Sequence, residues 1–204
     1  EVFSEESKFQ SWLNIEASLA KVQSELGLIP KEASKNISKM AKVKNLDLLK
    51  MKEEYKDTGF PILPLIKQLT RLCDSESAKW IHWGATTQDI IDTGTAVQMK
   101  AGLSILEADL VKIANSIFNL SEKHRNTVMA GRTFKQHASP ITFGFKAAIW
   151  LDEICRHLER LKHIKKSALL CSYGGAVGNL AALGDDGIEV LNKLAADLGL
   201  ERSS

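Results

Sequence analysis

Three short stretches of this sequence hold residue types that could do chemistry. The first is Ile81-His82-Trp83-Gly84-Ala85-Thr86-Thr87-Gln88-Asp89-Ile90-Ile91-Asp92-Thr93. It sets an imidazole, two hydroxyls, an amide and a carboxylate at the apparent start of a long helix. Helix capping alone needs one threonine hydroxyl, with Asp89 favouring the positive end of the helix dipole. Capping leaves His82, Trp83 and Gly84 without a reason. The other reading is an anion site, where helix N–H groups and hydroxyls grip a carboxylate or phosphate.

The second stretch is Gly131-Arg132-Thr133-Phe134-Lys135-Gln136-His137-Ala138-Ser139-Pro140-Ile141-Thr142-Phe143-Gly144. Arg132 has the planar fork that pairs bidentately with a carboxylate. His137 is a proton-transfer candidate, because an imidazole titrates near neutrality. A polar helix–helix connection punctuated by Pro140 is the plainer reading, and the density of hydrogen-bonding groups favours function over it. The third stretch is Ser172-Tyr173-Gly174-Gly175-Ala176-Val177-Gly178-Asn179. It has neither the GxGxxG order nor a preceding strand, and no Lys-Ser/Thr of a phosphate loop. Its small residues permit close backbone approach, between helices or to a ligand. His157 and His163 read as surface histidines, and His124 as a cation at a helix end. No His/Cys/Asp/Glu spacing proposes a metal, and GxSxG and HExxH are both missing.

Helices must position these groups. Helical periodicity runs over Ser7–Leu26, ended by Gly27 and Pro30, and further helices are predicted over Lys31–Met40, Leu46–Tyr55 and Ile62–Leu72. Pro64 is tolerated in the first turn of the last of these, and Asp57–Pro61 is a loop signal. Leu103, Leu106, Leu110, Ile113, Ile117 and Leu120 recur at spacings of 3, 4, 3, 4 and 3. That is the seam of a helix packed along others at a shallow angle. Leu151, Ile154, Leu158 and Leu161 repeat the pattern. No period-two series announces strands. The prediction is an all-α protein: a small N-terminal helical domain over residues 1–80, then long antiparallel bundle helices over 81–204.

Composition sets bounds on function. The 204 residues are 44% hydrophobic and 25% charged, an ordinary globular balance with material for a core. A net charge of +2 without like-charge blocks speaks against nucleic-acid or membrane-surface partners. Cys73, Cys155 and Cys171 are odd in number and far apart, so they read as reduced thiols of a cytoplasmic protein.

The three stretches, in this order on long helices, resemble the signature regions of the fumarase/aspartase superfamily. Trp12-Leu13 with Glu16 and Leu19-Ala20, followed by Leu28-Ile29-Pro30, is similar to its N-terminal helix. The resemblance spans nearly the whole chain. Within the superfamily it is nearest to the 3-carboxy-cis,cis-muconate cycloisomerases, with adenylosuccinate lyases second. Lyases of the adenylosuccinate kind carry a His directly after Arg-Thr, where this chain has Phe134, and another His ahead of the helix that here follows Gly59-Phe60-Pro61-Ile62. A phenyl ring cannot transfer a proton.

The resemblance implies addition or elimination across a C–C bond beside a carboxylate, through a carbanion stabilised electrostatically. It implies no cofactor and no metal, a small polycarboxylate substrate, and a homotetramer whose sites combine regions of different subunits. By this mapping Thr86, Thr87 and Gln88 bind one carboxylate and Arg132, Thr133 and Gln136 another. His82 and His137 are the catalytic candidates. Asp89, Gly174, Gly175 and Gly178 shape the site. Adenylosuccinate elimination with fumarate release is the alternative activity, and a non-catalytic helical assembly protein is the alternative class. The resemblance further implies that the chain is part of a longer one. The family's Gly-Ser-Ser loop with Met-Pro-x-Lys, which supplies a catalytic serine and a substrate-binding lysine, has no counterpart in these 204 residues, so the segment alone is expected to be inactive.

Overall fold

Helix α1 opens where Ser4 accepts a hydrogen bond from the Ser7 N–H at 3.2 Å and runs Glu5–Glu25. This computed structural model describes residues 1–203. A left-handed Gly27 and then Pro30 separate α1 from α2, Lys31–Met40. A single 3-10 turn, Val43–Asn45, leads to α3, Leu48–Thr58, which Asp47 caps by accepting from the Lys50 N–H. Pro61 precedes α4, Ile62–Leu72, so Pro64 falls in its first turn, where a missing N–H costs nothing. Asp74 caps the short α5, Ser75–Ala78, and α6 then runs unbroken over Thr87–Lys123.

The rest of the chain holds two strands, β1 (Val128–Thr133) and β2 (Gln136–Thr142), then α7, Phe143–Ala168. Two-residue strands β3 (Leu170–Cys171) and β4 (Glu201–Arg202) pair in parallel on either side of α8, Gly187–Leu198. The architecture is helical, with eight α-helices and two small sheets among the described residues. No helix among those residues is long and apolar enough to cross a membrane.

The chain divides into two compact units, Glu1–Ala101 with Ser167–Ser204, and Gly102–Lys166. By this division the boundary expected near residue 80 falls inside the first unit, and we keep that boundary as a proposal. The first unit has a continuous apolar core in which Trp12, Leu13, Ile15, Ile37, Leu65 and Ile90 are all buried. Gly94 shows how tightly α6 meets α1 there. A methyl group on it would lie 2.5 Å from Trp12 Cδ1. A mid-helix glycine costs about 1 kcal/mol in propensity, and here close packing requires it. Asp197 on α8 accepts from Ser18 Oγ at 2.5 Å and pairs with Lys21, so α8 is fastened to α1 as well.

The second unit holds the later part of α6, the β1–β2 hairpin and the earlier part of α7. Ser121 Oγ donates to the Gly144 carbonyl at 3.0 Å, and the Gly144 N–H donates to the His124 carbonyl at 2.9 Å. Along the seam, Leu103, Leu110, Ile117 and Leu120 are half-buried while Leu106 and Ile113 are exposed. None of the six is fully buried in the chain itself.

One expectation needs correcting. The stretch Gly131–Gly144 is not an irregular helix–helix connection: most of it is an antiparallel hairpin, with Val128 opposite Thr142 and Thr133 opposite Gln136. Every residue from Arg132 to Pro140 is exposed, so no buried face imposes the alternation that announces a strand. The turn hides the signal too. Phe134 and Lys135 both take positive φ, 47° and 62°, as a two-residue type I′ turn requires, but neither is the Asn or Gly that marks one.

Candidate active site

The start of α6 is where the first unit gathers its polar side chains. Glu16 is 2% exposed on the inner face of α1. Its Oε1 lies 2.6 Å from His82 Nδ1, and its Oε2 accepts the His82 backbone N–H at 3.1 Å. Both oxygens of one buried carboxylate are therefore spent on one residue. His82 needs such a clamp, because its φ is 61°, in the left-handed region that side chains other than glycine rarely adopt. Such strain persists only where the surroundings over-determine it. Burial alone would depress the pKa of this imidazole, but the Glu16 hydrogen bond and the charges of Glu16 and Asp89 outweigh it and raise the value.

Asp89 ties the first stretch to the third. Its Oδ2 accepts from the Thr86 N–H at 2.9 Å, which is half of a capping box with an aspartate at the third helical position. The same carboxylate accepts from Gly174 N at 3.0 Å on Oδ1 and from Gly175 N at 3.0 Å on Oδ2. Four residues along α6, Thr93 Oγ1 donates to the Ser172 carbonyl at 2.8 Å and accepts the Ser172 N–H at 2.9 Å. The glycine loop is thus pinned to the helix start through its backbone. Gly178 makes a turn within that loop, its N–H donating to the Gly175 carbonyl at 3.4 Å.

Trp83 is the third fastening. Its carbonyl accepts from Gln23 Nε2 at 2.8 Å and from the Tyr173 hydroxyl at 3.3 Å. Burial, with the Asp89 charge adding, pushes the Tyr173 phenol up, so it stays a protonated donor. Gly84 follows at φ 75°, and a methyl group there would meet Tyr173 Oη at 2.9 Å and Leu183 Cγ at 3.0 Å. Only glycine satisfies both demands. Burial likewise pushes the Cys171 thiol up to about 11, against the pull of a Thr93 hydrogen bond, which keeps it protonated and inert.

The remaining candidates fall into two groups. Thr86 and Thr87 are half-buried, and their hydroxyls make no protein hydrogen bond among the described residues. The exposed Gln88 gives its amide N–H to Asp92 at 2.6 Å. Arg132, Thr133, Gln136 and His137 belong to the hairpin of the second unit. There Arg132 stands opposite His137 in the ladder, with Arg132 Nη2 3.2 Å from His137 Nε2. The guanidinium can only donate, so this His137 nitrogen is an acceptor. Among the described residues, no cluster of three or more His, Cys, Asp or Glu is placed to hold a metal ion.

Glu16 is the site residue that sequence reading passed over. The signal was present: Glu16 shares a helical face with Trp12, Leu19 and Ala20, and a carboxylate on a buried stripe demands a partner.

A helix start bearing hydroxyls and an imidazole is pinned to a glycine loop, and the helical fold is that of the fumarase/aspartase superfamily. The family model described as Lyase matches residues 1–203, and the chain belongs to that family. It is 43% identical over 200 residues to adenylosuccinate lyase of Methanocaldococcus jannaschii, covering 98% of this chain and 43% of that protein. It is 39% identical over 197 residues to 3-carboxy-cis,cis-muconate cycloisomerase of Bradyrhizobium diazoefficiens, covering 95% of this chain and 44% of that protein. The crystal structure of 3-carboxy-cis,cis-muconate lactonizing enzyme from Pseudomonas putida superposes with a TM-score of 0.94 at 34% identity, covering all of this chain and 47% of that one. The chain spans less than half the length of the curated relatives it matches.

Proposed function

We propose that the protein carrying this chain is a cycloisomerase of 3-carboxy-cis,cis-muconate. One carboxylate of the substrate adds to its own double bond, forming a C–O bond, and the adjacent carbon takes a proton, so nothing leaves and the product is a lactone. The charge that develops on that carbon spreads into a neighbouring carboxylate. The groups suited to hold that charge are the Thr86 and Thr87 hydroxyls with the N–H groups of the α6 N-terminus. Arg132, with Thr133 and Gln136, suits a second carboxylate. His82 and His137 are the proton-transfer candidates. Asp89, Gly174, Gly175 and Gly178 shape the site without touching substrate.

The observation that carries this reading is Phe134. It is 97% exposed at the hairpin tip, directly after Arg132-Thr133, where the adenylosuccinate lyase pattern requires an imidazole. The lyase remains the second reading, because the identity to an adenylosuccinate lyase is 43%. Exposed seam positions Leu106 and Ile113 support assembly into a homo-oligomer, and we propose a cytoplasmic tetramer.

Incubating the protein with 3-carboxy-cis,cis-muconate should bleach the substrate's ultraviolet absorbance, while adenylosuccinate should release no fumarate. Fumarate release with no loss of muconate absorbance would move the assignment to the lyase.

A further inference from the structure

We propose that Glu16 is the positioning residue of His82: its buried carboxylate fixes the tautomer and attitude of the ring, so that Nε2 is the nitrogen presented to substrate.

The geometry leaves little freedom. An ionised carboxylate can only accept hydrogen bonds, and the Glu16 carboxylate already accepts the His82 backbone N–H at 3.1 Å. The nitrogen 2.6 Å from its other oxygen, Nδ1, must therefore carry a proton. In the neutral ring Nε2 is then the lone-pair nitrogen, and it makes no protein hydrogen bond among the described residues. Histidine side chains that act as bases are oriented in this way, by a carboxylate on the far nitrogen. The orienting group comes from α1, 66 residues away in sequence, and anchors ring and backbone together. It thereby also holds the positive φ that aims the ring.

The charged groups acting on His82 are Glu16 from α1 and Asp89 from the first turn of α6. Tyr173, from the glycine loop, stands within the field of both carboxylates and stays protonated. Asp89 is committed to three backbone N–H groups, so Glu16 alone bonds the ring.

The inference rests on the proposed role of His82 at the site, and the test separates the two. Nitrogen-15 NMR of histidine-labelled protein should show His82 as the Nδ1–H tautomer, with a pKa above the ordinary histidine value. In Glu16→Gln the side chain keeps its volume but presents an N–H to Nδ1. The ring should then change to the Nε2–H tautomer and become harder to protonate. Cycloisomerase activity should fall about 100-fold in kcat with KM little changed. The acidic limb of its pH profile should move to lower pH, and Glu16→Asp should restore part of the loss. An Nε2–H tautomer in the unsubstituted protein, or His82 signals unmoved by Glu16→Gln, would overturn the positioning role. Full activity in His82→Asn would instead overturn the catalytic reading of His82, whatever its tautomer.

Discussion

The two places where candidate site residues gather are held in opposite ways. At the start of α6, Asp89 and Glu16 are buried, and each bonds a segment far off in the sequence, Asp89 the glycine loop and Glu16, from α1, His82. On the hairpin, Arg132 and His137 are exposed and bonded to each other across one rung. The first is built by the fold; the second is a local β-turn structure whose side chains reach into solvent. Substitutions should therefore separate stability from chemistry. At the helix start the two should fall together, whereas on the hairpin activity alone should fall.

The largest effect is expected at Asp89. Asp89→Ala removes the acceptor of three backbone N–H groups at once, those of Thr86, Gly174 and Gly175. Hydrogen bonds to a charged group contribute about 1.5–3 kcal/mol each, but freed loop amides recover water. A net loss of about 3 kcal/mol is expected, read as a lower urea midpoint. Arg132→Ala, made in the same protein, should move that midpoint by no more than about 0.5 kcal/mol, as exposed positions do. Equal shifts in the two variants would erase the contrast.

Gly84 comes next. An alanine there faces both a positive φ and a methyl 2.9 Å from Tyr173 Oη, so about 1–3 kcal/mol is expected in thermal unfolding. A Gly178→Ala control has the same backbone penalty but nothing within 4 Å, and should cost less.

The Glu16–His82 pair gives stability a pH dependence whose sign is fixed. The folded state holds His82 protonated to higher pH than the unfolded chain does. Its contribution is therefore complete below the unfolded value of about 6.5 and is lost as pH rises through the folded value. Glu16→Gln removes the support and leaves burial, opposed only by the weaker Asp89 charge, to depress the folded value, so the loss above the unfolded value should disappear and stability should instead rise with pH just below it. Denaturation midpoints across this window, in both proteins, check it. An unchanged slope would deny the pair any part in folding.

How far the sequence foretold this contrast depends on what each feature rests on. Helices α2 and α4 begin directly after Pro30 and Pro61, because a proline's signal is local. The long α6 was legible from its 3-4 seam and its Thr-Thr start. The hairpin was not: its turn lacks glycine, and neither strand has a buried face to impose alternation. In the sequence Glu16 stands out only as part of a helix pattern, since its partner His82 is 66 residues away and nothing in one sequence reports that pairing. The Asp89 bonds to Gly174 and Gly175 were equally invisible, for the acceptor and donors stand 85 and 86 residues apart.

The smallest effect should come from the hairpin turn, and it sharpens the comparison from the weak side. Phe134 and Lys135 hold φ values of 47° and 62°, which cost a β-carbon-bearing residue about 1 kcal/mol each. Replacing them with Asn and Gly supplies the residues a type I′ turn prefers and removes most of that strain. Glycine also frees the unfolded chain, which offsets about 0.5–1 kcal/mol of the relief, so the net gain in thermal unfolding should be about 1 kcal/mol. If Phe134 serves the reaction only by not being an imidazole, the double variant should keep its activity on carboxymuconate. Activity lost while the midpoint rises would show that the strained turn holds Arg132 and His137 in register, and the hairpin would then be as much a built site as the helix start.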